Sequence, residues 1–162
     1  MTHALHFTLN GQPTTLDVAP SAWLVDVLRD GCGLKGTHQG CDTAQCGACT
    51  VLVDGLAVKS CNRLGLQTQG RSVTTIEGVA PNDQALHLMQ QCFTRHHALQ
   101  CGFCTAGFVM RALAMVHEDV PAEEHAVRAA LSGNLCRCTG YEGIVKAVCE
   151  GLLLLRQPDT AP

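Results

Sequence analysis

Eight of the eleven cysteines in this 162-residue chain fall into two groups of four, and these groups constrain the fold more than any other feature. In the first group Cys41, Cys46, Cys49 and Cys61 are separated by four, two and eleven residues. In the second, Cys101 and Cys104 enclose Gly102-Phe103, Cys136 and Cys138 enclose Arg137, and 31 residues lie between the pairs. Such density marks either a disulfide scaffold or a metal protein, and the compartment decides between them. An odd number of cysteines leaves a disulfide scheme with an unpaired thiol. The first residues, Met1 to Phe7, carry no basic segment, apolar core or twin arginine of an export signal. Metal binding in the cytoplasm is therefore the expectation. No apolar run approaches the ~18 residues of a membrane span. With 11 basic against 14 acidic side chains, the chain also lacks the basic stripe of a nucleic-acid surface.

Hydrophobic periodicity divides the chain into two parts. Leu5, Phe7 and Leu9 alternate with polar residues, and Asn10-Gly11 then predicts a hairpin returning through Thr14–Val18. Ser21 is placed to cap a short helix that carries Trp23, Leu24, Val27 and Leu28 on its core side. The stretch from Gly31 to Cys49 is too rich in glycine and polar residues for regular structure. A second hairpin follows over Thr50–Val53 and Leu56–Ser60 around Asp54-Gly55, with a last strand near Val73–Ile76. Pro81-Asn82-Asp83 then marks a boundary, and four helical segments are predicted: Asp83–His97, Thr105–His117, Ala122–Ser132 and Glu142–Arg156. The fold class is thus α+β, with a β-rich domain over 1–79 and a helical domain over 80–162. The tail from Gln157 to Pro162 is expected to be disordered.

The first spacing, C-x4-C-x2-C with a distant fourth cysteine, is that of a plant-type [2Fe–2S] cluster. A loop around such a cluster needs backbone N–H groups aimed at sulfur, and Gly36, Gly40 and Gly47 supply the backbone freedom and close approach. Paired zinc knuckles do not match the four-residue gap. In the second group each cysteine pair precedes a predicted helix. Thr105 is placed to cap one, and Thr139-Gly140-Tyr141-Glu142 fits a capping box opening the other. Two helix N-termini would then face one anionic four-thiolate site. By spacing alone, a four-cysteine zinc site competes evenly with an iron–sulfur cluster here.

Three stretches make the chain resemble the small iron–sulfur subunit of the molybdenum hydroxylases, the family of xanthine dehydrogenase, aldehyde oxidoreductase and carbon monoxide dehydrogenase. They are Gly40-Cys41-Asp42-Thr43-Ala44-Gln45-Cys46-Gly47-Ala48-Cys49, Gln100-Cys101-Gly102-Phe103-Cys104-Thr105, and Gly133-Asn134-Leu135-Cys136-Arg137-Cys138-Thr139-Gly140-Tyr141. The resemblance implies an N-terminal ferredoxin-like β-grasp followed by a C-terminal four-helix bundle. It implies two [2Fe–2S] clusters, one on Cys41, Cys46, Cys49 and Cys61 and one on Cys101, Cys104, Cys136 and Cys138. The second would lie near a molybdopterin, commonly the cytosine dinucleotide in bacterial relatives, on a large partner subunit. The first would face FAD on a medium partner subunit, and the assembly would be a dimer of heterotrimers. Gln100 and Cys138 match the positions that contact the pterin in relatives. Ala106 stands where relatives usually carry proline, a change that removes preorganisation of the first helical turn but no ligand.

The implied function is electron transfer between molybdopterin and flavin, with the substrate chemistry on the partner; a stand-alone two-cluster ferredoxin is the alternative. Cys32, Cys92 and Cys149 fit neither group and are expected to be small core hydrophobes. Arg137 is expected either to offset cluster charge or to lie at a surface. Trp23 is expected in the core. No nucleophile–base pair, phosphate loop or paired carboxylates stand out, so no catalytic residue is assigned.

Overall fold

In the computed structural model, which describes residues 1–80, 82 and 85–157, the apolar alternation of the first half builds one five-stranded sheet. Strands β1 (His3–Leu9) and β2 (Gln12–Val18) form the first hairpin, β3 (Thr50–Val53) and β4 (Leu56–Lys59) the second, and β5 (Ser72–Thr74) joins them. The order is β2-β1-β5-β3-β4, with β5 parallel to β1 and antiparallel to β3. Both hairpin turns have left-handed residues at their two central positions, Asn10-Gly11 and Asp54-Gly55, as the tight turn requires. Leu5, Phe7 and Leu9 point to one face and meet Val51, Val53, Val73, Leu24 and Leu28 in the first core.

The predicted short helix forms as α1 (Leu24–Asp26), followed by a wider π-helical turn over Val27–Gly31. Ser21 does not cap it. Trp23 occupies the cap position with no side-chain bond. Nor is Trp23 in the core: it is 42% exposed, because its backbone bridges Leu64 while Leu24 and Val25 take the buried positions.

Four helices follow: α2 (Leu88–Arg95), α3 (Thr105–His117), α4 (Glu124–Ala130) and α5 (Glu142–Leu155). Helix α2 starts later than predicted. Asn82 and Ala85 bridge each other, and the helix opens at His87, whose Nδ1 accepts from Met89 N–H while Gln90 Oε1 accepts from His87 N–H. Of the predicted boundary and tail, Pro81, Asp83 and residues 158–162 lie outside the described residues. The second core is built on Phe93, Phe108, Ile144 and Leu152, with Cys92 fully buried among them. Cys32 and Cys149 are only partly buried, each packed at the margin of a core. Leu52 of β3 meets Met110 and Ala114 of α3 and joins sheet to helices. Among the described residues, no helix is long and apolar enough to cross a membrane.

Helix α3 ends on a forked ion pair. Arg111 Nη1 and Nη2 donate to Glu118 Oε1 and Oε2 at 2.6 and 2.8 Å, and the guanidinium holds the Glu118 carboxyl below its ordinary range. A depressed folded-state value contributes stability that is present above the unfolded carboxylate value and lost as pH falls through the folded one. Glu118→Gln is therefore expected to lower the thermal midpoint by about 2 °C at pH 7. Thermal scans from pH 7 to 3 check this: the gap to wild type is steady above about 4.5 and narrows progressively below it as pH falls toward the depressed folded-state value.

Candidate metal centres

The first cysteine loop leaves regular structure after α1 and wraps back onto the sheet. Ala44 (φ 57°) and Gly47 (φ 74°) turn its backbone left-handed, so successive N–H groups face inward. Gly40 serves close approach instead: a Cβ there would lie 3.2 Å from Cys46 Sγ and 3.3 Å from the Phe103 ring. Gly36 likewise has an ordinary φ, and a Cβ there would meet Ile76 and Glu77. Cys46 N–H donates to Cys41 Sγ at 3.3 Å. That bond, with others from the Thr43 and Gln45 amides, lowers the Cys41 thiol to about 6. Cys61 comes in the turn directly after β4 and is buried against Cys49, with Val25 and Ala44 around them. Burial pushes the Cys61 thiol up to about 12, and the adjacent Cys49 pushes it the same way.

The second group stands at two helix entrances, as its spacing predicts, but the caps differ. Cys104 itself occupies the cap position of α3, and Thr105 lies inside the helix with its hydroxyl buried and without a hydrogen-bond partner. At α5 the cap position is Tyr141, in a left-handed conformation (φ 70°) after Gly140 (φ 67°). Thr139 is drawn to sulfur instead: its hydroxyl and amide donate to Cys136 Sγ at 3.2 and 3.4 Å, and its oxygen accepts from Tyr141 N–H. The Tyr141 hydroxyl accepts from Cys136 N–H at 3.0 Å. Burial raises the Cys136 thiol, but the bonds from Thr139 and the Cys138 and Thr139 amides together outweigh it and leave the thiol low. Cys104 is pushed up to about 12 by burial, with Cys136 beside it adding to the rise, and the opposing bond from its own amide does not offset them.

In both groups the sulfurs approach in pairs. Cys41 lies beside Cys46, Cys49 beside Cys61, Cys104 beside Cys136, and Cys138 Sγ is 3.6 Å from Cys101 Sγ. Among the described residues, no group of three or more Cys, His, Asp or Glu side chains is arranged to hold a metal ion. Sulfurs grouped two and two suit a two-iron cluster, in which each iron takes two thiolates, better than a tetrahedral zinc site. All four cysteines of the second group line one cavity of about 330 Å³, together with Gly40, Cys46, Phe103, Leu135 and Arg137. Cys101 and Cys138 are exposed at its mouth, Gln100 is exposed next to Cys101, and Arg137 is exposed between Cys136 and Cys138. Donor set and room both fit a [2Fe–2S] cluster.

Sequence spacing did not anticipate how the two loops touch. Leu135 N–H donates to Cys46 O at 2.8 Å, so one hydrogen bond links a cysteine of the first group to the residue before Cys136. The buried Asn134 donates to Gly47 O at 3.0 Å. His38 stacks on Phe103 at 4.7 Å, and its Nδ1 is 2.8 Å from the Phe103 carbonyl, which as an acceptor requires the Nδ1–H tautomer.

Residues 7–72 match the 2Fe-2S iron-sulfur cluster binding domain family, and residues 75–149 match the [2Fe-2S] binding domain family. The small subunit of nicotine 6-hydroxylase from Paenarthrobacter nicotinovorans is 49% identical over 142 residues, covering 88% of this chain and 85% of that one. The chain belongs to the small iron–sulfur subunits of the molybdenum hydroxylase family. The xanthine dehydrogenase iron-sulfur-binding subunit of Escherichia coli O157:H7 is 42% identical, with 92% of this chain and 94% of that one covered. The crystal structure of quinoline 2-oxidoreductase from Pseudomonas putida 86 contains a chain that superimposes with a TM-score of 0.88 at 42% identity. The match covers 94% of this iron–sulfur subunit and 97% of that chain.

Proposed function

We propose that this iron–sulfur subunit relays single electrons through two [2Fe–2S] clusters in a molybdenum-dependent oxidoreductase, between a molybdopterin on a large subunit and FAD on a medium subunit. The observation that carries the reading is the direct hydrogen bond from Leu135 N–H to Cys46 O, which joins two separate cysteine quartets. Cys41, Cys46, Cys49 and Cys61 would hold one cluster, and Cys101, Cys104, Cys136 and Cys138 the other. The clusters supply one-electron chemistry when bound. The chain's residues hold the sulfurs at fixed positions, aim N–H groups at them and exclude water from Cys49, Cys61 and Cys136.

In this reading residues 1–79 are a ferredoxin-like β-grasp domain and 80–162 a four-helix bundle, a division supported by the two separate hydrophobic cores. The exposed sulfurs of Cys101 and Cys138 would face the pterin, in the cytosine dinucleotide form, with Gln100 beside them offering an amide to it. Phe103 and Leu135, 46% and 53% exposed around the same cavity, supply an apolar rim for the large subunit. The assembly would be a cytoplasmic dimer of heterotrimers, and the substrate would bind to the large subunit.

Native purification with identification of the co-purifying chains, metals and flavin tests the proposal. Two larger subunits, molybdenum, FAD and four irons per copy of this chain are expected. A chain that purifies alone, without molybdenum or flavin but with its iron, would be a diffusible two-cluster carrier and would overturn the subunit role.

A further inference from the structure

Lys59 closes β4 two residues before Cys61, and its side chain crosses to the other cysteine loop. Its Nζ donates to the carbonyl of Gly133 and lies 3.4 Å from Asn134 Oδ1. Gly133 and Asn134 lead into Leu135 and Cys136, so the ammonium sits where the two loops join. Lys59 is half-buried, and in the sheet it stands opposite Thr50, the residue after Cys49, with Cys61 two residues further on. Among the described residues Lys59 pairs with no carboxylate. The neighbouring cation, Arg111, is matched by Glu118. The charge facing Lys59 is therefore that of the first cysteine group.

Resting on the two-cluster reading above, we infer that Lys59 is a positioning residue of the electron path. Its ammonium raises the reduction potential of the cluster on Cys41, Cys46, Cys49 and Cys61, while its bonds hold the Gly133–Leu135 strap against that cluster's loop. One electron taken from a reductant adds one negative charge to the cluster and moves no proton in this scheme. A fixed positive charge at the joint stabilises the reduced form more than the oxidised form. The second cluster, on Cys101, Cys104, Cys136 and Cys138, has Lys59 on its strap but not against its sulfurs, so its potential should move less.

The test is an anaerobic dithionite titration of the full chain with its clusters, each followed by its own reduced-state EPR signal. Lys59→Met and Lys59→Gln remove the charge, Gln keeping an amide donor for the Gly133 carbonyl, and Lys59→Arg retains it. Both neutral variants are expected to lower the reduced-to-oxidised ratio of the first cluster about tenfold at fixed potential, or about 59 mV for one electron. Lys59→Arg should stay near wild type, and the signal of the second cluster should shift by less than half as much. Equal shifts in both signals, equal shifts in all three variants, or no shift at all would overturn the inference. Wild-type chain showing fewer than two signals would instead remove the two-cluster reading beneath it.

Discussion

Cys104→Ser is expected to abolish one of two reduced-state EPR signals and about half of the bound iron, while the other signal persists. Cys104 stands at the entrance of α3, and burial beside Cys136 pushes its thiol up to about 12. Without metal this thiol stays protonated at neutral pH, so only iron binding would draw out its thiolate. A serine hydroxyl ionises far less readily and bonds iron less well. The first group draws its donors from a different loop and a different turn, which is why its signal should survive. Iron analysis and EPR of the dithionite-reduced chain check this. Loss of both signals, or of neither, would contradict the assignment of two independent sites.

Gly107→Ala is expected to destabilise the chain by about 3 kcal/mol, equivalent to a fall of about 6–12 °C in thermal midpoint. Alanine in a helix interior ordinarily gains about 1 kcal/mol over glycine. Here the clash outweighs that gain: a Cβ on Gly107 would lie 2.1 Å from Gly47 O and 3.0 Å from Ala48 Cα. Both contacts are backbone of the first cysteine loop, so neither can swing aside without moving Cys46 and Cys49. Gly151→Ala is the contrast. Its Cβ would meet the end of Met89, which is flexible, and that variant should lie within about 1 kcal/mol of wild type. Thermal melts of both variants, followed by visible absorption of the clusters and by circular dichroism, measure the difference.

Much of the architecture was legible residue by residue. Alternating Leu5, Phe7 and Leu9 marked an inward strand face, and Asn10-Gly11 and Asp54-Gly55 marked two tight hairpins because a left-handed pair suits those residues. Helix α3 runs over the predicted Thr105–His117, where a long apolar stripe left little choice. The shorter signals misled. Thr105 and Thr139 are good caps by residue type, yet Cys104 takes the first cap position and Thr139 turns its hydroxyl onto Cys136 sulfur. Trp23 was expected inside for its size, but its neighbours fill the core and it stays at the rim. Local propensities are worth tenths to about 1 kcal/mol, and packing or a nearby sulfur acceptor overrides them easily.

Spacing along the chain by itself determined the two cysteine quartets and the α+β class, since ligand intervals and hydrophobic periods are properties of neighbours in sequence, and the family rested on the resemblance of three cysteine-bearing stretches. Only the tertiary structure decided how the sulfurs pair, that Leu135 bonds to Cys46, that Gly107 lies against Gly47, and that Lys59 reaches Gly133. The last three of these contacts join residues 60 to 89 positions apart, and the sulfur pairs 5 to 37. Their geometry depends on how the sheet and the helices close on each other, and no local pattern encodes that distance.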